Sequence, residues 1–226
     1  MPDCGQPGEL DVVRRGGKAA LARALASLER APDGPATIAL LDAAHLAPIG
    51  EVIGVTGPPG VGKSTLLGRM IDEFRANGRR VAVIAVDPSS RRSGGALLGD
   101  RLRLVTDPED PDVFVRSMAA RDRLGGLAEG TFAVMTLMRA LYDVVLIETV
   151  GVGQSETDVA GLSDTVVFCV QPASGDSLQF MKAGIVEIPH IAVVTKADLG
   201  ASATRALADI KGGLSLAVAG GADPGS

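Results

Sequence analysis

The segment from Gly57 to Thr65 constrains the fold of this chain more than any other feature of the sequence. It matches the pattern G-x-x-x-x-G-K-[ST], and an apolar run precedes it while apolar residues at helical spacing follow it. Such a loop turns its backbone N–H groups towards an anion at the start of a helix. The sequence therefore predicts a nucleoside triphosphate site formed by Gly57, Pro58, Pro59, Gly60, Val61, Gly62, Lys63, Ser64 and Thr65.

Two side chains of this loop have separate predicted roles. Lys63 is expected to reach the β- and γ-phosphates and to assist phosphoryl transfer, and the Ser64 hydroxyl is expected to ligate Mg²⁺. The alternative is a glycine-rich turn between a strand and a helix that binds no ligand. The strand–loop–helix context favours the phosphate site.

Strand-like and helical segments alternate after residue 50, which predicts an α/β fold. Strand-like runs, apolar on both faces, lie at 52–56, 81–86, 144–149, 165–170 and 191–195. Runs of this kind separated by helices indicate a P-loop NTPase with a mainly parallel sheet covered by helices on both faces. Leucines at helical spacing (Leu21, Leu25 and Leu28) predict a helical extension before it. The expected organisation is an N-terminal helical extension (1–50), the nucleotide-binding domain (51–211) and a flexible tail (212–226).

The composition argues against several classes of function. Aromatic residues make up only 3% of the chain and the net charge is −5, which disfavours nucleic acid and anionic membranes as partners. The N-terminus lacks the pattern of a signal peptide and no apolar run is long enough to span a membrane, so we expect a cytoplasmic protein. Cys169 lies in a strand-like run and is expected to be a core residue rather than a disulfide partner of Cys4.

Three acidic residues are candidates for the metal site. Asp87 ends the second strand-like run and Asp100 follows a glycine-rich stretch; alone, each would be read as a turn residue or a helix cap. Glu148 closes the buried third run, as the Walker-B carboxylate does beside Mg²⁺. Gly151 follows three residues later and resembles the glycine of a D-x-x-G switch that contacts the γ-phosphate, with Glu in place of Asp.

The fifth run leads into Thr195-Lys196-Ala197-Asp198, at the place of the N-K-x-D signature of GTPases. The Asp198 carboxylate is expected to accept from N1–H and N2–H₂ of guanine, and Lys196 is expected to lie over the base. Thr195 replaces the usual Asn, and a hydroxyl cannot act as donor and acceptor in the geometry of a carboxamide. A guanine preference with weaker affinity is the prediction.

Four stretches together resemble the MeaB/ArgK family, the methylmalonyl-CoA mutase-associated GTPases of the SIMIBI class. They are Val86–Ser90, Ser93–Asp100, Leu124–Ala128 and Glu148–Glu156, and the resemblance extends over roughly residues 15–200. It implies a G protein that binds GTP, GDP and Mg²⁺ and serves as a chaperone for an adenosylcobalamin-dependent acyl-CoA mutase. Such a protein gates cofactor delivery, or removes damaged cofactor, and ties that step to GTP hydrolysis.

The same resemblance implies a third switch region from Gly175 to Lys182, in which Ser177 replaces a usual Glu. Residues expected to take part in hydrolysis or its activation, besides Lys63, are Asp100, Gln154, Asp176 and Lys182. Family members continue past the guanine motif into a dimerisation arm that has no counterpart after Asp198, so a homodimer through that arm is not assured.

Three other functions stay open at this point. A nickel metallochaperone of the same GTPase class would normally carry Cys and His ligands, whereas this chain has only His45 and His190, each expected on the surface or already hydrogen-bonded. A small-molecule P-loop kinase would not need the Thr195–Asp198 loop. A nucleotide-gated interaction module with negligible turnover is the non-enzymatic alternative.

Overall fold

The computed structural model describes residues 8–87, 106–107, 109–119, 129–149, 155–172 and 189–220 of the chain. Helices within these residues are α1 (Glu9–Arg30), α2 (Pro35–Leu46), α3 (Lys63–Ala76), α4 (Glu129–Arg139), α5 (Ser155–Leu162) and α6 (Ala201–Gly220). Strands are β1 (Glu51–Thr56), β2 (Val81–Asp87), β3 (Val113–Ala119), β4 (Val144–Glu148), β5 (Thr165–Val170) and β6 (Ile191–Val194). A short 3₁₀ helix, Ala197–Leu199, follows β6.

The strands form one sheet in the order β3-β2-β4-β1-β5-β6, and every described pair is parallel. Strand β1 lies inside the sheet, between β4 and β5. The predicted α/β fold with a parallel sheet is confirmed. Since ligands of such sheets bind beyond the carboxyl ends of the strands, the residues that end or follow β1, β2, β4, β5 and β6 are the candidates for a functional site.

Helices cover both faces of the sheet, as the sequence predicts. On one face, α1, α2, α4 and α5 pack over strand residues such as Val52, Val145 and Val166. On the other face, α3 packs through Leu67 and Ile71 over the side chains that alternate with those. This alternation is the period of two expected of a strand whose two faces are both buried.

Strand β3 was absent from the sequence prediction. Its segment, Val113–Ala119, pairs along its whole length with β2 at the edge of the sheet. Only Val113 among its described side chains is buried, and Arg116 forms an ion pair with Glu29 of α1. Arg116 and Ser117, both partly buried, interrupt the apolar run by which central strands are recognised.

The two N-terminal helices belong to the same core as the sheet. Leu21 and Leu25 are 1% and 0% exposed and lie in one cluster with residues of α4 and β4. The guanidinium of Arg14 donates to the carbonyl of Ala140, just after α4, at 3.1 and 3.3 Å, and to that of Ala47, just after α2, at 3.4 Å. The extension is therefore a packed part of the domain.

Helix α6 runs to Gly220 and so passes residue 212, where the sequence predicts the tail to begin. The segment Leu214–Ala219 contains Leu and Ala, which favour helix, and this composition accounts for the difference. None of the helices that the structure describes combines the length and apolar character that crossing a membrane requires.

Candidate nucleotide-binding site

The glycine-rich loop joins β1 to α3 at the carboxyl edge of the sheet, as its pattern predicts. Gly57 has φ of 137°, and a Cβ atom there would lie 2.3 Å from the carbonyl oxygen of Cys169 in β5. Val61 is fully buried and anchors the middle of the loop, while Pro59 and Gly60 are exposed at its tip. The loop is thus held between its own strand and β5, with its tip accessible to a ligand.

Lys63 is the first residue of α3, and its side chain is buried against the loop. Its ammonium donates to the carbonyls of Gly57 at 2.8 Å and Pro58 at 3.0 Å. The positive charge is therefore held over the loop rather than in solvent. An ammonium in this position, together with the N-terminus of α3, gives the loop a positive potential suited to phosphate.

The predicted metal-binding residues Ser64 and Glu148 lie together. The Ser64 hydroxyl donates to Oε1 of Glu148 at 2.7 Å, because β4 lies beside β1 with Glu148 opposite Val55. A hydroxyl and a carboxylate are the hard oxygen donors that Mg²⁺ binds, so this pair fits the ion. Nowhere in the described part of the chain do three His, Cys, Asp or Glu side chains group as a metal site of their own.

Of the other residues predicted for the nucleotide site, the structure describes some and not others. Asp87 ends β2, two residues past the Ala85 that is opposite Glu148, so its backbone belongs to the same edge of the sheet. Thr65 is exposed on the first turn of α3. Predicted site residues that lie outside the described residues are Asp100, Gly151, Gln154, Asp176 and Lys182.

A buried hydroxyl pair supports this region and was not predicted from the sequence. Thr149, directly after β4, donates its hydroxyl to that of Thr56 at 3.0 Å, and its backbone N–H donates to the carbonyl of Val55 at 3.2 Å. Both threonines are 1% exposed. The chain leaving Glu148 is therefore fixed to the end of β1, which is also where the phosphate loop begins.

The Thr195–Asp198 loop is tied to the phosphate loop by hydrogen bonds. The Thr195 hydroxyl lies 2.7 Å from the carbonyl of Val61 and 3.1 Å from that of Val170. The ammonium of Lys196 donates to the carbonyl of Gly60 at 3.0 Å and to Oε1 of Gln171. Asp198 lies in the short 3₁₀ helix and is exposed. The loop predicted for base recognition therefore adjoins the loop predicted for phosphate.

Cys169 lies beneath the phosphate loop as a buried free thiol, which confirms the expectation that it is a core residue. Burial raises the pKa of this thiol to about 11; Glu148 adds to that shift, whereas Lys63 opposes it. The thiol is therefore protonated at neutral pH. Protonated thiols are poor nucleophiles and poor metal ligands, so Cys169 acts here through packing.

Comparisons with known proteins agree with this geometry. A family model described as "Methylmalonyl Co-A mutase-associated GTPase MeaB" matches residues 21–220. A Mycobacterium tuberculosis protein named "Probable GTPase" is 42% identical over 195 residues, covering 84% of this chain and 58% of that protein. A mouse protein named "Methylmalonic aciduria type A homolog, mitochondrial" is 45% identical over 150 residues, covering 65% of this chain and 35% of that protein. The matched part of the chain thus spans 58% of the length of the first relative and 35% of the length of the second.

Solved structures support the same fold. The crystal structure of a LAO/AO transport system kinase is 25% identical with a TM-score of 0.56, covering 92% of this chain and 76% of that one. The hydrogenase maturation factor HypB from Archaeoglobus fulgidus has a TM-score of 0.58 at 17% identity, covering 80% of this chain and 84% of that one, and shows the fold alone. Since the family match includes both the phosphate loop and the Thr195–Asp198 loop, this chain belongs to the MeaB family of methylmalonyl-CoA mutase-associated GTPases.

Proposed function

We propose that this chain binds GTP and GDP with Mg²⁺, hydrolyses GTP, and acts as a chaperone for an adenosylcobalamin-dependent acyl-CoA mutase. In that role it gates delivery of the cobalamin cofactor or protects the cofactor on the mutase. The observation that carries the proposal is the contact of the Thr195–Asp198 loop with Gly60 and Val61 of the phosphate loop. One ligand with a triphosphate and a base can occupy both loops at once.

Each described residue has a specific part in this proposal. Lys63 and the N–H groups of the phosphate loop bind the β- and γ-phosphates. Ser64 and Glu148 would hold Mg²⁺, which supplies charge neutralisation on the phosphates as they react. Thr149 keeps Glu148 in register with the phosphate loop. Residues proposed to complete the metal site, the switch or hydrolysis are Asp87, Asp100, Gly151, Gln154, Asp176 and Lys182.

Asp198→Asn tests the guanine assignment. The carboxylate accepts from N1–H and N2–H₂ of guanine, whereas an amide can donate to the 2-oxo group of xanthine. Hydrogen bonds to charged groups contribute roughly 1.5–3 kcal/mol, so we expect the ratio of GDP to xanthosine diphosphate affinity to fall by at least about tenfold. Titration calorimetry with both nucleotides measures this ratio, and Asp209→Asn on the exposed side of α6 is the matched control. Wild-type protein that binds ADP as tightly as GDP would overturn the guanine assignment.

The chaperone role is tested with a methylmalonyl-CoA mutase and its cobalamin-binding domain. We expect the complex to be tighter in one nucleotide state, because by linkage a partner that shifts the protein towards that state is itself bound more tightly in it. We also expect the complex to raise GTP turnover. Affinities measured with GDP and with a non-hydrolysable GTP analogue, and phosphate release with and without the mutase, give the two quantities. Equal affinities together with unchanged turnover would leave the chaperone proposal without support.

Two alternatives predict different outcomes of the same experiments. A nucleotide-gated module would show state-dependent binding of the mutase with no phosphate release. A nickel-type metallochaperone would bind Ni²⁺, yet His45 is exposed and Nδ1 of His190 accepts a hydrogen bond from the backbone N–H of Val166 at 3.0 Å. The described histidines are thus on the surface or already hydrogen-bonded, as the sequence predicts, and neither favours nickel.

A further inference from the structure

Gln171 contacts the Thr195–Asp198 loop, although Gln171 belongs to no sequence motif. It follows β5, and its side-chain oxygen accepts a hydrogen bond from the ammonium of Lys196. The contact follows from the sheet register, since Val170 is opposite Val194 and the N–H of Thr195 continues that ladder by donating to the carbonyl of Val170 at 2.8 Å. Gln171 and Lys196, the residues that follow this last hydrogen bond in the two segments, are therefore close enough for their side chains to meet.

The ammonium of Lys196 has two acceptors, which belong to different segments of the chain. One is the carbonyl of Gly60 at the tip of the phosphate loop, 3.0 Å away, and the other is Oε1 of Gln171. A lysine side chain has several rotatable bonds and, when it is exposed, takes many conformations. Because its ammonium is hydrogen-bonded at both acceptors, the Lys196 side chain is restricted to few conformations, and the same side of its apolar stem faces a ligand.

The backbone of Lys196 also needs this support. Its φ of 52° and ψ of 42° place it in the left-handed region, and it is the only non-glycine residue with positive φ among those that the structure describes. That conformation is unfavourable for a residue with a Cβ atom and persists where surrounding contacts fix it. Hydrogen bonds from Thr195 to Val61 and from Lys196 to Gly60 and Gln171 supply such contacts.

We propose that Gln171 is a positioning residue for base recognition, which holds Lys196 so that the lysine stem is already placed over the nucleobase before the nucleotide binds. The inference rests on the guanine-nucleotide site proposed above. We expect Gln171 to affect binding of the base and not of the phosphates. Among the described residues its side chain makes a polar contact with Lys196 alone, and the phosphate loop keeps its contacts with Cys169 and Thr195 when Gln171 is replaced. Preorganisation of this kind increases affinity by removing the cost of ordering the side chain on binding.

Two substitutions of Gln171 by side chains of similar length distinguish the positioning of Lys196 from a general effect on the Thr195–Asp198 loop. Gln171→Met keeps an unbranched side chain but removes the acceptor oxygen, whereas Gln171→Glu keeps an acceptor at the same reach. We expect the Met variant to bind GDP about three- to tenfold more weakly, and the Glu variant to return to within about twofold of wild type. Gln171 is only partly buried, so both variants should fold, which thermal unfolding checks.

Inorganic pyrophosphate is the probe that lacks a base. We expect its affinity, measured by displacement of a fluorescent GDP analogue, to change by less than about twofold in the Met variant. Unchanged GDP affinity in that variant, an equal loss for pyrophosphate, or a Glu variant as weak as the Met variant would each overturn the inference. A wild-type protein without preference for GDP over ADP would instead overturn the proposed guanine site, whatever the Gln171 variants show.

Discussion

Replacing Lys63 by methionine should weaken the binding of GTP by at least about 100-fold and that of GDP by at least about tenfold, because the charge-assisted hydrogen bonds proposed from its ammonium to the γ- and β-phosphates are lost. The methionine fills much of the volume of the lysine stem, so the packing around this buried position is largely kept. In the structure the ammonium donates to the carbonyls of Gly57 and Pro58, which belong to the phosphate loop itself. The variant also removes this donor from two buried carbonyls, so we expect some loss of stability besides the loss of ligand affinity.

The matched control is Lys211→Met, the same chemical change on the exposed surface of α6. Titration calorimetry should give wild-type GDP affinity for this variant, and circular dichroism checks that both variants are folded at the temperature of the titration. If Lys63→Met retained GDP affinity within tenfold of wild type, the assignment of Gly57–Thr65 as the phosphate site would be wrong.

Gly57→Ala should lower the free energy of unfolding by about 2–4 kcal/mol, which is large for the addition of one methyl group. Two effects act together at this position. The φ of 137° is one that residues with a Cβ atom rarely adopt, and the added Cβ would lie 2.3 Å from the carbonyl oxygen of Cys169. Since that oxygen belongs to the backbone of β5, it cannot move aside without disturbing the sheet.

Gly60→Ala separates these two effects. Gly60 also has a positive φ, 73°, but a Cβ atom there meets nothing within 4 Å. We expect a loss of only about 1–2 kcal/mol for this variant, from the left-handed backbone alone. Urea unfolding with linear extrapolation measures both values. Equal losses for the two variants would show that the approach of Gly57 to Cys169 contributes nothing to stability.

The repeating parts of the fold were predictable because their signals are local. The strand β4 was predicted from a continuous apolar run ending at Glu148, and α1 from leucines at helical spacing. The strand β3 was missed because Arg116 and Ser117 interrupt its run, and its place depends on pairing with β2 and on the ion pair with Glu29 of the distant helix α1. Edge strands carry weaker local signals since one side is exposed.

Within the site, motifs predicted which residues gather but not every contact that they make. Ser64 and Glu148 were expected at one metal site, and they lie 2.7 Å apart. The sequence predicts an effect of Thr195 on recognition of the base, whereas its hydroxyl lies within hydrogen-bond distance of the backbone carbonyls of Val61 and Val170. Gln171 belongs to no motif, and its contact arises from the pairing of β5 with β6. Contacts of this kind depend on register between distant segments, which a single sequence does not specify.

The order of the strands has a consequence for how the protein is made. The central strand β1 is synthesised before both of its neighbours, β4 and β5, and more than 80 residues separate it from either of them along the chain. The phosphate loop is likewise supported by Cys169 and Thr195, which leave the ribosome more than 100 residues after it. A nascent chain that carries the complete Gly57–Thr65 sequence therefore has no formed phosphate site until these later segments emerge. Nucleotide therefore cannot assist folding before these segments emerge, and until then the backbone N–H and C=O groups of β1 lack their partners in β4 and β5.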